Sequence, residues 1–336
     1  MRILLLALLT ACPPKQTDTH ADPDTETAAP CAALPRGASS ERIGNPDDTV
    51  VVGTRRAVLM GGSAEVDPAM ALHVAGAGGG DVVVLRASGS TSSYLEYLAS
   101  EVGADPAPAS VEVIRIDNPP AGADDSVLCR VDRAEAVWLA GGDQSDYLLA
   151  WPSELHASLG ALADRGATVG GTSAGAMALS QASFDADGGS ITSGTALADP
   201  SGDAVSVSLS PFAAPELDGV IVDTHFMARE REGRLLAFAV AAQAAGLPLP
   251  ITAVGIDERS ALVVEDGSFA VHSSSGGSVW LYRVAEVAAQ SGPLDLERVG
   301  RIRLVDGDAG VWPVDWTAFD ADALTVVDGV VAVHGD

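Results

Sequence analysis

Five consecutive residues, Gly171-Thr172-Ser173-Ala174-Gly175, set a central serine among positions that, Thr172 apart, have almost no side-chain bulk. A serine becomes an exposed nucleophile when it stands on a turn so sharp that its neighbours must be small. G-x-S-x-G between a strand and a helix is the sequence form of that turn. "GATVG" (166–170) reads as the strand and "AGAMALSQA" (174–182) as the helix. The plainer reading of the same pattern is tight packing where a strand meets a helix. In the first reading, backbone N–H groups at the helix start lie close enough to bind an oxyanion.

A nucleophilic serine needs a base, and the base needs an orienting carboxylate. Six histidines compete. His20 lies ahead of the regular pattern, and His73 and His156 sit in helical stretches away from strand ends. His225 stands where the strand "GVIV" runs out, at the edge where α/β sheets place their sites. His272 and His334 lie in a later β segment, where an α/β-hydrolase, with its order Ser, Asp, His, would carry its base. That assignment stays open. For the carboxylate, "GIDE" offers Asp257 and Glu258 at another strand end, a position also usual for a solvated turn. "AGGDQSD" (140–146) closes a fourth strand in the same way. Its glycines, Gly141 and Gly142, permit close backbone approach, and Gln144 offers both a donor and an acceptor.

The elements that must position these residues follow from the apolar pattern. "RRAVLMGG" (55–62), "DVVVLRAS" (81–88), "SVEVIRID" (110–117) and "EAVWLAGG" (135–142) are short continuous apolar runs bounded by Gly, Ser or Asp. Stretches of helical period such as "SSYLEYLASEV" separate them. Continuous apolar strands alternating with helices predict an α/β fold with a mostly parallel sheet covered on both faces. "GVIVDTHF" (219–226) and "ITAVGIDE" (251–258) add two strands around a long helix at roughly 230–246. Past residue 260, alternating segments between turn signals predict antiparallel strands. Residues 184–216 form an irregular segment too long for a mere connector.

Composition excludes some classes. The chain has 336 residues, 47% hydrophobic, and a formal charge of −27. That charge argues against nucleic acid as a partner, which needs clustered cations. Lys15 is the only lysine. Met1-Arg2 followed by "ILLLALL" is too short to span a bilayer, and "LTAC" (9–12) has the form of a lipobox. The predicted organisation is a lipoprotein signal peptide at 1–11, lipidation at Cys12, a disordered tether over 12–53 and one hydrolytic domain over 54–336. Pro13 stands where an inner-membrane retention Asp would be, so the expectation is an exported protein held at the outer membrane or cell surface. In an oxidising compartment Cys31 and Cys129 could pair. No Cys/His cluster has metal-ligand spacing, and no cofactor is expected.

"GGTSAGA", "GGDQ", "DTHF" followed by "RERxGRLL", and "GIDE", in that order over roughly residues 57–270, together resemble the cyanophycinases, serine hydrolases related to dipeptidase E. The resemblance implies a flavodoxin-like α/β fold, as in class I glutamine amidotransferases, and a Ser-His-Glu triad. It makes Ser173 the nucleophile, His225 the base and Glu258 its orienting acid. It puts Gln144, Asp223, Arg231 and Arg234 in the substrate pocket, the two arginines receiving a substrate carboxylate. The oxyanion hole would be the N–H groups of Ala174 and Gly142. The implied substrate is cyanophycin or a related β-aspartyl-arginine peptide, and a homodimer is possible in such a family. Met227 and Glu230 depart from the small or polar residues usual at that rim. The competing expectations are a binding lipoprotein that keeps the fold without activity, and an esterase of α/β-hydrolase type.

Overall fold

Val58 and Met60 pack into one apolar cluster while Ala57 and Leu59 pack into another. A strand apolar on both faces must lie inside a layered α/β molecule, and this one, β2 (Arg56–Met60), is buried along its whole length. The computed structural model describes residues 29–290 and 292–334.

The first half of the chain runs β1 (Ala38–Gly44), β2, α1 (Asp67–Ala75), β3 (Asp81–Arg86), β4 (Ser110–Ile116), α2 (Asp125–Arg133), β5 (Ala136–Leu139), α3 (Ser153–Asp164), β6 (Thr168–Thr172) and α4 (Ala174–Ala178). The second half runs β7 (Ala182–Phe184), α5 (Ser193–Ala198), β8 (Val207–Leu209), β9 (Val220–Thr224), α6 (Glu232–Ala244) and β10 (Ile251–Ile256). It continues through β11 (Ser260–Glu265), β12 (Ser268–Ser273), β13 (Val279–Val284), β14 (Leu296–Leu304), β15 (Ala309–Val311), β16 (Asp322–Val327) and β17 (Val330–His334).

These strands form two sheets where the sequence suggested one. The first has the order β1-β4-β3-β5-β6-β2-β11-β12-β15, and β4-β3-β5-β6-β2 within it are parallel. The second has the order β17-β16-β14-β13-β10-β9-β7-β8, with β10, β9 and β7 parallel. Antiparallel strands extend both. One face of the first sheet packs on α1. Its other face shares a core with α2, α3 and residues of the second sheet such as Val254, Leu281 and Ile302. The far side of the second sheet is covered by α6. The chain crosses from the second sheet to the first in the short turn between β10 and β11, and that turn carries Glu258.

The expected tether over 12–53 needs a correction within its described part, residues 29–53. Residues 38–44 pair with β4 in an unbroken antiparallel register, from Ala38↔Ile116 to Gly44↔Ser110. Cys31 and Cys129 form a disulfide that ties this segment to α2. The strand "ASSERIG" is held by its backbone ladder and by polar contacts, Ser40 to Glu112 and Arg42 to Asp81, so its composition does not betray it. The signal segment, Cys12 and His20 lie outside the described residues.

Candidate functional site

Three parallel strands end at one place. β6 leads into Ser173, β9 into His225, and β10 ends two residues before Glu258. Because β6 belongs to one sheet and β9 and β10 to the other, the site lies at the seam between the sheets, at the carboxyl ends of their parallel strands.

The turn after β6 has the shape that its small residues imply. Ser173 has φ 54° and ψ −119°, a conformation costly for a residue with a side chain. A β-carbon on Gly175 would stand 2.1 Å from the Leu139 carbonyl oxygen, and one on Gly171 would stand 2.5 Å from the backbone of Gly175. The glycines are therefore required by close backbone approach, and the serine side chain is turned outward.

Ser173 Oγ lies 2.8 Å from His225 Nε2, and His225 Nδ1 lies 2.7 Å from Glu258 Oε1. His225 is buried and Glu258 is partly exposed. Burial lowers the imidazole pKa below its ordinary value, opposed by the hydrogen bond to Glu258. The same hydrogen bond holds the Glu258 carboxyl below the usual carboxylate range. The imidazole is thus neutral at neutral pH, with Nδ1–H donating to the carboxylate and Nε2 free to accept the serine proton. His272 and His334, the alternative bases, stand on β12 and β17 in the antiparallel flanks. His334 Nε2 bonds Thr325 Oγ1. His73 is buried in α1 against Trp138, and His156 bonds the Tyr147 carbonyl.

Beside the serine is a pocket of about 160 Å³, lined by residues that include Gly142, Gln144, Ala174, Arg229, Arg231 and Arg234. That is below the roughly 300–1,000 Å³ of sites for drug-sized ligands and suits one short side chain. Gln144 donates through Nε2 to the Phe184 carbonyl, which leaves its oxygen for the pocket. The loop that carries Gly142 reaches the nucleophile: a β-carbon on Gly141 would stand 3.5 Å from the Ser173 β-carbon.

Arg231 and Arg234 line the pocket as expected, but the roles of Asp223 and of the Arg234 guanidinium require correction. Asp223 is 0% exposed and does not line the pocket. It receives Arg234 Nε at 2.7 Å on one oxygen and Arg234 Nη2 at 2.6 Å on the other, with Arg231 Nη1 at 3.3 Å. Arg234 Nη1 donates to Ser190 Oγ and the Ile191 carbonyl, and its guanidinium lies between Phe184 and Phe238. Its fork is committed to the protein, and a substrate carboxylate cannot take it. A sequence shows which arginines share a helix face but not that a buried aspartate on the preceding strand already occupies them. Two arginines against one carboxylate still leave net positive charge at the pocket wall. Arg229 is exposed in the same pocket and makes no ion pair among the described residues.

Asp257 takes a place that the sequence left to a solvated turn. Its carboxylate accepts from the backbone N–H groups of Met227 and Ser278, at 3.0 and 2.9 Å. It thereby ties the loop after His225 to the start of β13. Among the described residues no group of three or more His, Cys, Asp or Glu is placed to hold a metal ion.

No protein-family model and no curated protein matches the chain. Among solved structures, it is similar to a peptidase from an acI-B1 Actinobacterium over 77% of this chain and 98% of that one, with a TM-score of 0.51 and 14% identity. A provisional peptidase E protein from Listeria monocytogenes EGD-e aligns over 66% of this chain and 99% of its own, with a TM-score of 0.39 and 14% identity. At such identity, the likeness to the actinobacterial structure establishes a shared mixed α/β fold.

Proposed function

We propose that the chain is a serine-type hydrolase of the peptidase class that cleaves cyanophycin or related aspartyl peptides. The observation that carries this reading is the unbroken hydrogen-bonded chain Ser173–His225–Glu258, with Ser173 at φ 54°. The fold likeness to a peptidase structure is in keeping with it, and the flavodoxin-like assignment belongs to the same reading.

Ser173 Oγ attacks the amide carbonyl as His225 Nε2 takes its proton. The tetrahedral intermediate collapses, and His225 returns the proton to the leaving amine. The acyl-serine ester is then hydrolysed by a water that His225 deprotonates, which restores the hydroxyl. Glu258 keeps the Nδ1–H tautomer and stabilises the imidazolium. The N–H groups of Ala174 and Gly142 receive the oxyanion, each worth about 3 kcal/mol to the transition state. The small pocket sets Arg229, Arg231 and Arg234 against one acid, Asp143, which favours a short acidic side chain beside the scissile bond, and Arg229 makes no ion pair among the described residues. Export, a lipid at Cys12 and anchorage at the cell surface complete the proposal.

Mature protein treated with a fluorophosphonate should be labelled at Ser173, and Ser173→Ala should abolish both labelling and hydrolysis, the latter by roughly 10⁴-fold or more. Products from cyanophycin are read by mass spectrometry. An unlabelled protein would replace the enzyme with a binding module, and label without products would overturn the substrate.

A further inference from the structure

The end of β2, Met60-Gly61-Gly62, touches all three segments of the candidate triad. The Met60 carbonyl accepts the N–H of Ser173 at 3.0 Å, and the Gly61 carbonyl accepts that of His225 at 2.8 Å. The Gly62 carbonyl accepts from Arg259, the residue after Glu258, at 3.0 Å. Three successive carbonyls therefore hold three chain segments that are far apart in sequence. Each held residue has positive φ: 54° at Ser173, 49° at His225 and 57° at Arg259. Such backbones persist only when the surroundings over-determine them.

Gly62 adds a steric constraint. Its φ is +93°, and a β-carbon there would lie 2.5 Å from both Cε1 and Nε2 of the His225 ring. Nε2 is the atom that faces the serine. A β-carbon on Gly61 would stand 2.0 Å from the Asp257 carbonyl oxygen. Here the bare α-carbons serve as walls: one supports the imidazole and the other admits the strand end that carries Glu258.

We infer that Met60-Gly61-Gly62 is the positioning element of the site, with Gly62 the surface against which the His225 imidazole is set in line with Ser173. The inference rests on the serine-hydrolase reading for its consequence, but the contact itself can be tested without turnover. Gly62→Ala should slow fluorophosphonate labelling by about 100-fold, the loss that goes with a shift of roughly 1 Å in a reacting group. The apparent affinity for the probe should stay unchanged. Gly166→Ala is the control: its φ is +89°, but the nearest atom to a β-carbon there is 3.7 Å away. It carries the same backbone penalty and should label as the wild type does.

Melting temperatures close the test. Gly62→Ala should lose roughly 2–6 °C more than Gly166→Ala. That excess should vanish in a His225→Ala background, where the clashing ring is gone. An excess of equal size in both backgrounds, or labelling by Gly62→Ala within threefold of wild type, overturns the inference. If Gly62→Ala alone fails to fold, a folded Gly62→Ala/His225→Ala protein supports the inference and an unfolded one overturns it. Failure of the wild type to label would refute the hydrolase reading separately, while the melting comparison still decides the contact.

Discussion

Replacing Arg234 with lysine keeps the positive charge and removes the fork. Arg234 is 2% exposed and makes four hydrogen bonds through three nitrogens, two to Asp223 and two to the segment 190–191. An ammonium on the same backbone can keep one bond to the carboxylate but cannot span both its oxygens and Ser190 as well. Hydrogen bonds to charged groups contribute roughly 1.5–3 kcal/mol each, and lysine also forfeits the stacking between Phe184 and Phe238. Partial relaxation brings the expected loss to about 3–5 kcal/mol, the range for a broken buried ion pair. At roughly 2–4 °C per kcal/mol, the melting temperature should fall by about 6–20 °C. The segment 190–193 should become sensitive to protease, because Ser193 also caps onto this region through Glu230 and Arg234. Thermal denaturation and limited proteolysis measure both effects. Arg231→Lys should cost less, since Arg231 makes only one carboxylate bond and one carbonyl bond. A variant Arg234→Lys that melts within about 1 °C of wild type and loses only substrate affinity would refute this argument and return the guanidinium to the substrate.

Glu258→Gln keeps an acceptor for Nδ1–H but removes the carboxylate charge that opposes the effect of burial on His225, so the imidazole should become less basic. The labelling rate should fall, and its acid limb should move to lower pH; a limb moving upward would contradict the triad geometry. His73 is fully buried with neither ring nitrogen partnered among the described residues, and burial takes its pKa down to about 3. Its folded value lies below the ordinary one of about 6.5, so full stability is present above that pH and is lost as pH falls towards 3. The slope approaches 1.4 kcal/mol per pH unit. His73→Leu should flatten that acid slope in urea titrations at neutral and mildly acid pH, and an unchanged slope would exclude His73 as its source. Cys129→Ser opens a loop closed over a separation of 98 residues and should lower stability by roughly 2–5 kcal/mol. It should expose residues 29–53 to protease while labelling at Ser173 persists; labelling lost in step would mean that this segment shapes the site.

The parallel strands were legible because they are buried on both faces and leave continuous apolar runs, as in "RAVLM" and "DVVVLR". The serine turn was legible because backbone contacts closer than any β-carbon allows require Gly171 and Gly175 on either side of Ser173. Apolar pattern records burial but says little about pairing, so the division into two sheets escaped it. β9 and β10 look like β2 and β6 in sequence and lie in the other sheet. β1 escaped for the opposite reason: it is held at an edge by main-chain bonds and polar contacts, which leave no apolar signature. The arginines after His225 were visible as a charged helix face. Their commitment to Asp223 depends on β9 and α6 meeting in space, which no spacing along one element records.

Asp223 and Asp257 show how the corrected roles fit one physical scheme. Both were read as site or surface acids, and both instead bind groups from other segments: Asp223 holds the start of α6, and Asp257 holds the loop at Met227. Between them in sequence lies His225, at φ 49°. Strain of this kind costs on the order of 1–3 kcal/mol per residue. Two anchored carboxylates, each with charge-assisted or backbone hydrogen bonds, are sufficient to offset it. The acids nearest the candidate base thus fix the backbone on which it stands, while Glu258 alone reaches the ring. Three acidic residues within one sheet seam do different work because burial and hydrogen-bonding partners, not charge, separate their roles.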